Sequence, residues 1–434
     1  MKSLITLLLF SLIGGHSFAQ ALKTVQANEL YVKAMKYYES RNYDSLVSSL
    51  EQVVNLRPDH PGIRYNLAAA YALDGRPFDA VKNLGKIADM KLYYAVQQDS
   101  DFKSIRSSDL FIPVQKKFEQ NMIPVTNSSA AFVLKEKGLL TEGLAFDAAT
   151  GRFFISSVHK RKIIEYNSIG ESGQFNSQNA DLLGIFGMKA DEKNRILWAA
   201  AGAIKFMEGY EDSLKGASFL YKFNLDDGSL LHAYPPPETG GDHLFGDLTI
   251  NSRGDVYVSD SRDNAIYRMS ADGSRLEIFI PSGYFLSLQG IAFSDDDSLL
   301  YAADYSQGIF KINTPNGSVN LLENKTSTTL LGIDGLYFYK GKLIATQNGV
   351  NPQRILSLKP DDEITKVVNY KILESNNPLF DEPTLGVIDK DNFYFISNSQ
   401  WGRFDKSGRI FPDEQLDNPR ILMINLKSSD DNKE

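Results

Sequence analysis

The sequence predicts a multidomain protein: an all-β six-bladed β-propeller carried behind an all-α N-terminal helical module. Three observations predict it. A two-strand phrase recurs six times in the C-terminal two thirds of the chain. Its copies are spaced by roughly the length of one four-stranded blade. The hydrophobic period also changes near Ala130, from that of helices to that of strands.

The chain opens with Lys2, an apolar run over residues 4–12, and the small-x-small triplet Ser17, Phe18, Ala19. That is the pattern of a secretory leader. The run is too short to span a bilayer, which takes about 20 apolar residues, and no second run follows. The mature chain is therefore expected to begin near Gln20, not to span a membrane, and to be periplasmic or secreted. Cysteine is absent, which excludes disulfides, thiol nucleophiles and cysteine-based zinc sites. A core of this size dispenses with disulfides, and together with the leader this points to a bacterial envelope. The net charge of -8 lacks the basic footprint of a nucleic-acid binder.

Residues 27 to about 120 carry helical periodicity. In one stretch Leu67, Ala68, Tyr71, Ala80, Leu84 and Ile87 alternate small and large at crossing positions. Ala34, Tyr37, Leu46, Leu50 and Val53 occupy the same offsets upstream. Alanine at a crossing lets two helices approach, while Tyr and Leu fill the groove beside it. The pattern resembles the tetratricopeptide repeat. A degenerate third unit follows, with Asp101 and Asp109 as expected helix starts. Fewer than three full repeats are marginal alone, so the module should pack on the propeller. It serves either as a spacer or as a protein-partner groove around Tyr37 and Asn66. The divisions expected are 1–19 leader, 20–125 helical module, 126–427 propeller and 428–434 charged tail.

The six phrases are anchored on Gly143, Gly187, Asp247, Gly290, Gly335 and Leu385. A third strand follows each, and the last blade lacks a fourth. The unpartnered strand at 131–137 is expected to supply it and close the ring. In this arrangement the first strand of each phrase lines the channel, and its start shares a face with the end of the second. Glu142, Phe186, Gly246, Gln289, Asp334 and Thr384 then ring the channel mouth, beside Asp247. His159, Ser261, Asp304, Asn348 and Asn398 surround them. Two long loops, 202–216 and 400–412 with Trp401 and Arg403, form a lid, joined by His243. Oxygen donors converging on an axis suit a hard divalent cation, which can polarise an ester carbonyl. Each such residue equally suits a strand-end cap. No serine sits in a nucleophile elbow, and no phosphate loop is present.

The stretches "EGLAFDAATGRFFISS", "LQGIAFSDDDSLLYAAD" and "IDGLYFYKGKLIAT" resemble the senescence-marker-protein, gluconolactonase and luciferin-regenerating-enzyme family over roughly residues 130–426. The resemblance implies a metal-dependent hydrolase of a lactone or related ester acting on a small-molecule substrate. It implies Glu142, Gln289 and Asp334 as metal ligands, with Ca²⁺ first and Mg²⁺, Mn²⁺ or Zn²⁺ as alternatives. Asp334 or Asp247 is then the acid/base. His159, His243, Asp304, Asn348, Asn398, Trp401 and Arg403 are the candidate substrate and lid residues. The chain departs from the family at Gln289 (Asn there), Leu144 (Pro there) and Gly246 (Asn there). A non-catalytic protein- or glycan-binding propeller is the alternative. A sugar- or quinone-linked oxidoreductase would want more cations than Arg262, Arg403, His159 and His243.

Overall fold

Helices form early in the chain because their starts carry a capping side chain or a proline and their crossings are small. The computed structural model describes residues 15–176, 181–237 and 241–427. The apolar run at 4–12 and the tail at 428–434 lie outside them. The first helix is Gly15–Glu39. Tyr43–Leu56 follows, with Asn42 accepting the Ser45 N–H at 3.2 Å. Pro61–Leu73 starts on a proline, with His60 Nδ1 accepting the Ile63 N–H at 3.3 Å. Pro77–Asp89 and Ile112–Asn121 complete the five. Ala34, Ala68, Ala80, Leu50, Leu84 and Ile87 are buried at the crossings, as the small-large pattern requires. Among the described residues no helix is long and apolar enough to cross a membrane.

The third unit differs from expectation. Asp99, not Asp101, caps a short 3-10 turn at Ser100–Phe102, accepting the Asp101 N–H at 3.0 Å. The helix begins at Ile112, beyond Asp109, because Pro113 suits its first turn. The chain around this turn lies against the earlier tyrosines. Tyr38 donates to Asp101 at 3.0 Å and Tyr65 to Asp99 at 2.8 Å, and Tyr65 stacks on Tyr94. Asn66 is engaged too, donating to the Tyr31 hydroxyl at 2.7 Å.

Beyond this module stand six small, mainly antiparallel sheets; four run in simple chain order, and the fifth and sixth each take an outer strand from earlier in the chain. Their first strands are Leu144–Asp147, Gly184–Asp191, Phe245–Ile250, Leu288–Phe293, Gly335–Tyr339 and Gly386–Asp389, and they contact one another around a closed ring. The recurring glycine has a steric cause at this ring. A Cβ on Gly187 would lie 2.7 Å from the Gly246 carbonyl, and one on Gly290 would lie 2.6 Å from the Asp334 carbonyl. Neighbouring inner strands thus touch backbone to backbone, and Gly290 N–H donates to Asp334 O at 2.8 Å. The fifth blade also carries a short extra strand, Glu323–Asn324, parallel to Lys366–Ser375.

The ring closes as the missing fourth strand requires. Ser129–Val133 pairs antiparallel with Arg420–Asn425, setting Phe132 opposite Ile421. The strand begins two residues before the expected 131–137 and ends at Val133. It stops where Leu134 N–H donates to the Pro419 carbonyl, since proline has no N–H to return. Phe132 then stacks on Tyr166 of the first blade at 4.0 Å, sealing the last seam.

The helical module docks on loops of the fourth and fifth blades. Arg354, fully buried, donates to Met90 O at 3.0 Å, Thr328 Oγ1 at 2.7 Å and Gln347 Oε1 at 2.6 Å. Tyr93 N–H donates to Asn351 O at 2.7 Å, and Val350 packs into the helical core. Arg57 donates to the Ser306 carbonyl. Val125 and Ser375 exchange two backbone hydrogen bonds at 2.9 Å, tying down the connection.

Candidate functional site

The starts of the inner strands converge on a cavity of about 390 Å³ at the channel mouth. Glu142, Phe186, Gly246, Gln289 and Asp334 line it as the strand phase predicts, together with Asp247. Thr384 does not. It turns its hydroxyl to the Glu142 carbonyl, and Leu385 takes the place on the wall.

Each carboxylate is placed by a neighbouring element. Glu142 starts the first blade, its N–H bonded to Ser156 Oγ at 3.3 Å, and Trp401 Nε1 from the long final loop donates to its Oε1. Asp334 is fixed by Asn348, whose Nδ2 donates to Oδ2 at 2.8 Å. Asn348 is in turn oriented by the Tyr305 hydroxyl at 3.1 Å and by the Pro383 carbonyl at 3.1 Å. Asp247 Oδ2 accepts the Ile291 N–H at 3.2 Å, linking the third blade to the fourth.

Burial and mutual repulsion dominate the electrostatics. Burial and the charge of Asp334 push the Glu142 carboxyl well above the usual range. Burial raises Asp334 to about 7 against the opposing hydrogen bond from Asn348, with Asp247 adding to the rise. Burial also raises Asp247, and Lys189 opposes it. Lys189 reaches across the channel from the second blade. Its ammonium lies 5.2 Å from the Tyr337 ring centroid on the fifth, and burial lowers its pKa. Burial pushes the Tyr305 phenol up to about 12.

Several predicted positions sit elsewhere. Asp304 is fully buried and is a loop clamp, not a wall residue. One carboxylate oxygen takes the Leu286 and Ser287 N–H groups, and the other takes those of Ser306 and Gln307. Asn398 does the same on the sixth blade, accepting from Arg420 N–H at 2.8 Å and donating to Asn418 O at 3.0 Å. His159 lies beneath the lid, bonded to the Phe206 carbonyl, 3.4 Å from Glu208 and edge-on to Phe404. His243 is held by Asp260 at 2.7 Å, beside the cavity. Arg403 points to Asp381 at 2.9 Å and anchors its loop. The two long loops do meet over the mouth, where Phe206 packs on Trp401 and Phe404. Tyr305, Tyr337 and Lys189 were absent from the sequence reading. Lys189 sits near the end of the strand Gly184–Asp191 like any solvated lysine, and only the closed ring places it across from Tyr337.

The donor set fits a hard cation. It offers two buried carboxylates whose charges repel, an amide oxygen at Gln289, and no sulfur or imidazole on the wall. Among the described residues no group of three or more His, Asp or Glu stands close enough to hold a metal unaided. Two buried hydroxyls beside the pair, Thr141 Oγ1 and Thr346 Oγ1, have no hydrogen-bond partner. Such oxygens suit bound water or an ion.

No family model matches the chain, and no curated protein matches it. Solved structures do. A gluconolactonase from Xanthomonas campestris is 13% identical, covering 69% of this chain and 95% of its own, with a TM-score of 0.44. The calcium-binding protein regucalcin from Agrobacterium tumefaciens is 14% identical, over 68% and 93%, at 0.47. A virginiamycin B lyase from Staphylococcus aureus is 15% identical, over 68% and 97%, at 0.44. The likeness is one of fold. This chain is a six-bladed β-propeller with an N-terminal helical module.

Proposed function

We propose that the propeller is a divalent-cation-dependent hydrolase of a lactone or related ester, with Ca²⁺ the ion its oxygen donors suit best. The observation that carries the reading is the burial of Glu142 and Asp334 on one cavity, where the charge of Asp334 adds to the cost of ionising Glu142, a cost that a shared cation removes. With Glu142, Asp247 and Asp334 ionised and Lys189 protonated, the channel carries two negative charges in excess, which a divalent ion offsets. Glu142, Gln289 and Asp334 would hold the ion, which when bound polarises an ester carbonyl and acidifies a water. Trp401 holds Glu142 in place and covers the mouth. Asn348 orients Asp334, which together with Asp247 is positioned to move the proton. The absence of imidazole and thiolate from the wall makes Zn²⁺ the weakest of the four candidates.

The test is metal analysis of the purified protein with a panel of lactones, run beside Asp334→Ala. The expected result is one divalent ion per chain and turnover lost in the variant. No bound ion after exposure to millimolar Ca²⁺, Mg²⁺ or Mn²⁺, with no lactone turned over, would sink the reading. A peptide-binding role for the helical module is the weaker alternative, since Asn66 is bonded to Tyr31 and Tyr37 is partly buried against the helical core. We also propose export, on the strength of the leader pattern. Sequencing the N-terminus of protein recovered from the bacterial periplasm or medium should give a start near Gln20, and an intact Met1 would contradict it.

A further inference from the structure

A second cavity, of about 330 Å³, adjoins the first, and Leu244 and Trp401 form a wall of both. Its chemistry is the reverse of its neighbour's. The floor and sides are apolar and aromatic, with Phe206, Tyr210 and the Trp401 indole. The charged groups are cations: Lys205, Lys215 and Arg262, against the single carboxylate of Asp242. Asp242 is already paired with Lys215 at 3.1 Å. The imidazole on the wall, His243, is held by Asp260. Among the described residues neither Lys205 nor Arg262 forms an ion pair. The Lys205 ammonium instead lies 5.0 Å from the Phe206 ring centroid, and the Arg262 backbone N–H alone is bonded, to Asp260 at 2.9 Å. In a chain with a net charge of -8, two uncommitted cations over an aromatic pocket are not what average composition puts there.

We propose that this cavity is a subsite for an anionic group carried on an apolar or aromatic arm, with Arg262 and Lys205 as its recognition residues. Guanidinium and ammonium groups bind carboxylate and phosphate oxygens by charge-assisted hydrogen bonds, and the rings beside them cover the arm. Resting on the hydrolase reading, this names the substrate class. The ester sits against Glu142 and Asp334, and the rest of the molecule extends past Trp401 to place its acidic end between Lys205 and Arg262. The two cavities have opposite charge, so the same molecule cannot bind in reverse without setting its anion against the carboxylates.

The experiment separates the subsite from the hydrolase. Phenylacetate, phenyl phosphate and benzyl alcohol are titrated calorimetrically into the full chain, into Arg262→Gln/Lys205→Gln and into Asp334→Ala. Both cations are solvent-exposed, so the double variant should fold, and circular dichroism checks it. The expected result is millimolar or tighter binding of at least one anion by the wild type. Binding should weaken about tenfold or more in the double variant, with Asp334→Ala unaffected. The tighter of the two anions identifies the group recognised. Where a lactone is turned over, adding a free acid group to it should lower KM in the wild type and not in the double variant, at similar kcat. Benzyl alcohol binding as well as the anions, or anion binding unchanged in the double variant, overturns the subsite. Loss of lactone turnover alone tells only against the hydrolase.

Discussion

Asp334→Asn should weaken divalent-cation binding by at least the roughly 100-fold that loss of even a supporting partner can cause at a metal site. It should also make the metal-free protein more stable at neutral pH. Both effects come from one cause. The Asp334 carboxyl is held at about 7 in the folded chain, chiefly by burial, against about 3.9 when unfolded. A raised carboxyl favours the folded state while it is protonated. That contribution is complete below the unfolded value and disappears as pH rises through about 7. The wild-type melting temperature, measured with chelator, should therefore fall between pH 5 and pH 8, and the Asp334→Asn variant should show a flatter curve. Cation affinity runs the other way, strengthening over the same interval, because binding needs the deprotonated carboxylates. Calorimetry for Ca²⁺ and melting curves across pH read the two together. A variant that still binds Ca²⁺ like the wild type would remove Asp334 from the ligand set.

Arg354→Met should cost about 3–5 kcal/mol, since it strips several buried oxygens of their donor at about 1–3 kcal/mol each. Those oxygens are Met90 O in the helical module and Thr328 Oγ1 and Gln347 Oε1 in the propeller. Burial lowers the guanidinium pKa to about 10, so the side chain is still charged at neutral pH and donates throughout. Methionine fills much of the volume without donating. The loss should fall on the junction between the two units, with the connection near Val125 becoming protease-sensitive while the propeller holds. Limited proteolysis followed by mass spectrometry checks this. An unchanged cleavage pattern and melting point would mean the junction rests on other contacts.

How far the sequence announced this molecule depends on the range of each interaction. The blades are repetitive and local, so the alternation of their strands and the glycine near four of the six inner-strand starts could be read directly. Ring closure could be read too, because an unpaired strand at one end and a missing one at the other imply each other. The mouth residues followed from strand phase alone, which placed Glu142, Gln289 and Asp334 correctly and erred by one position in the sixth blade, where Leu385 lines the wall in place of Thr384. Asp304 and Asn398 show the limit. An acidic or amide side chain at a strand end can face a cavity or clamp its own loop, and only the burial of both oxygens distinguishes the two. Tyr305 was missed because its role depends on Asn348, far along the chain and one blade away. The partnership of Trp401 with Glu142, between the last blade and the first, had no local signature either.

The seam where Phe132 meets Ile421 sets an order of events in time. During synthesis the outer strand of that pairing, Ser129–Val133, is made before the first blade, and its mate only after the other five blades. Every earlier stage is an open arc with bare strand edges at both ends, the kind of surface that invites wrong partners. Completion is thus withheld until the sixth blade has been made. A propeller built this way stays threadable until its first and last strands meet, so removing Arg420–Asn425 should yield a sticky arc rather than a smaller propeller.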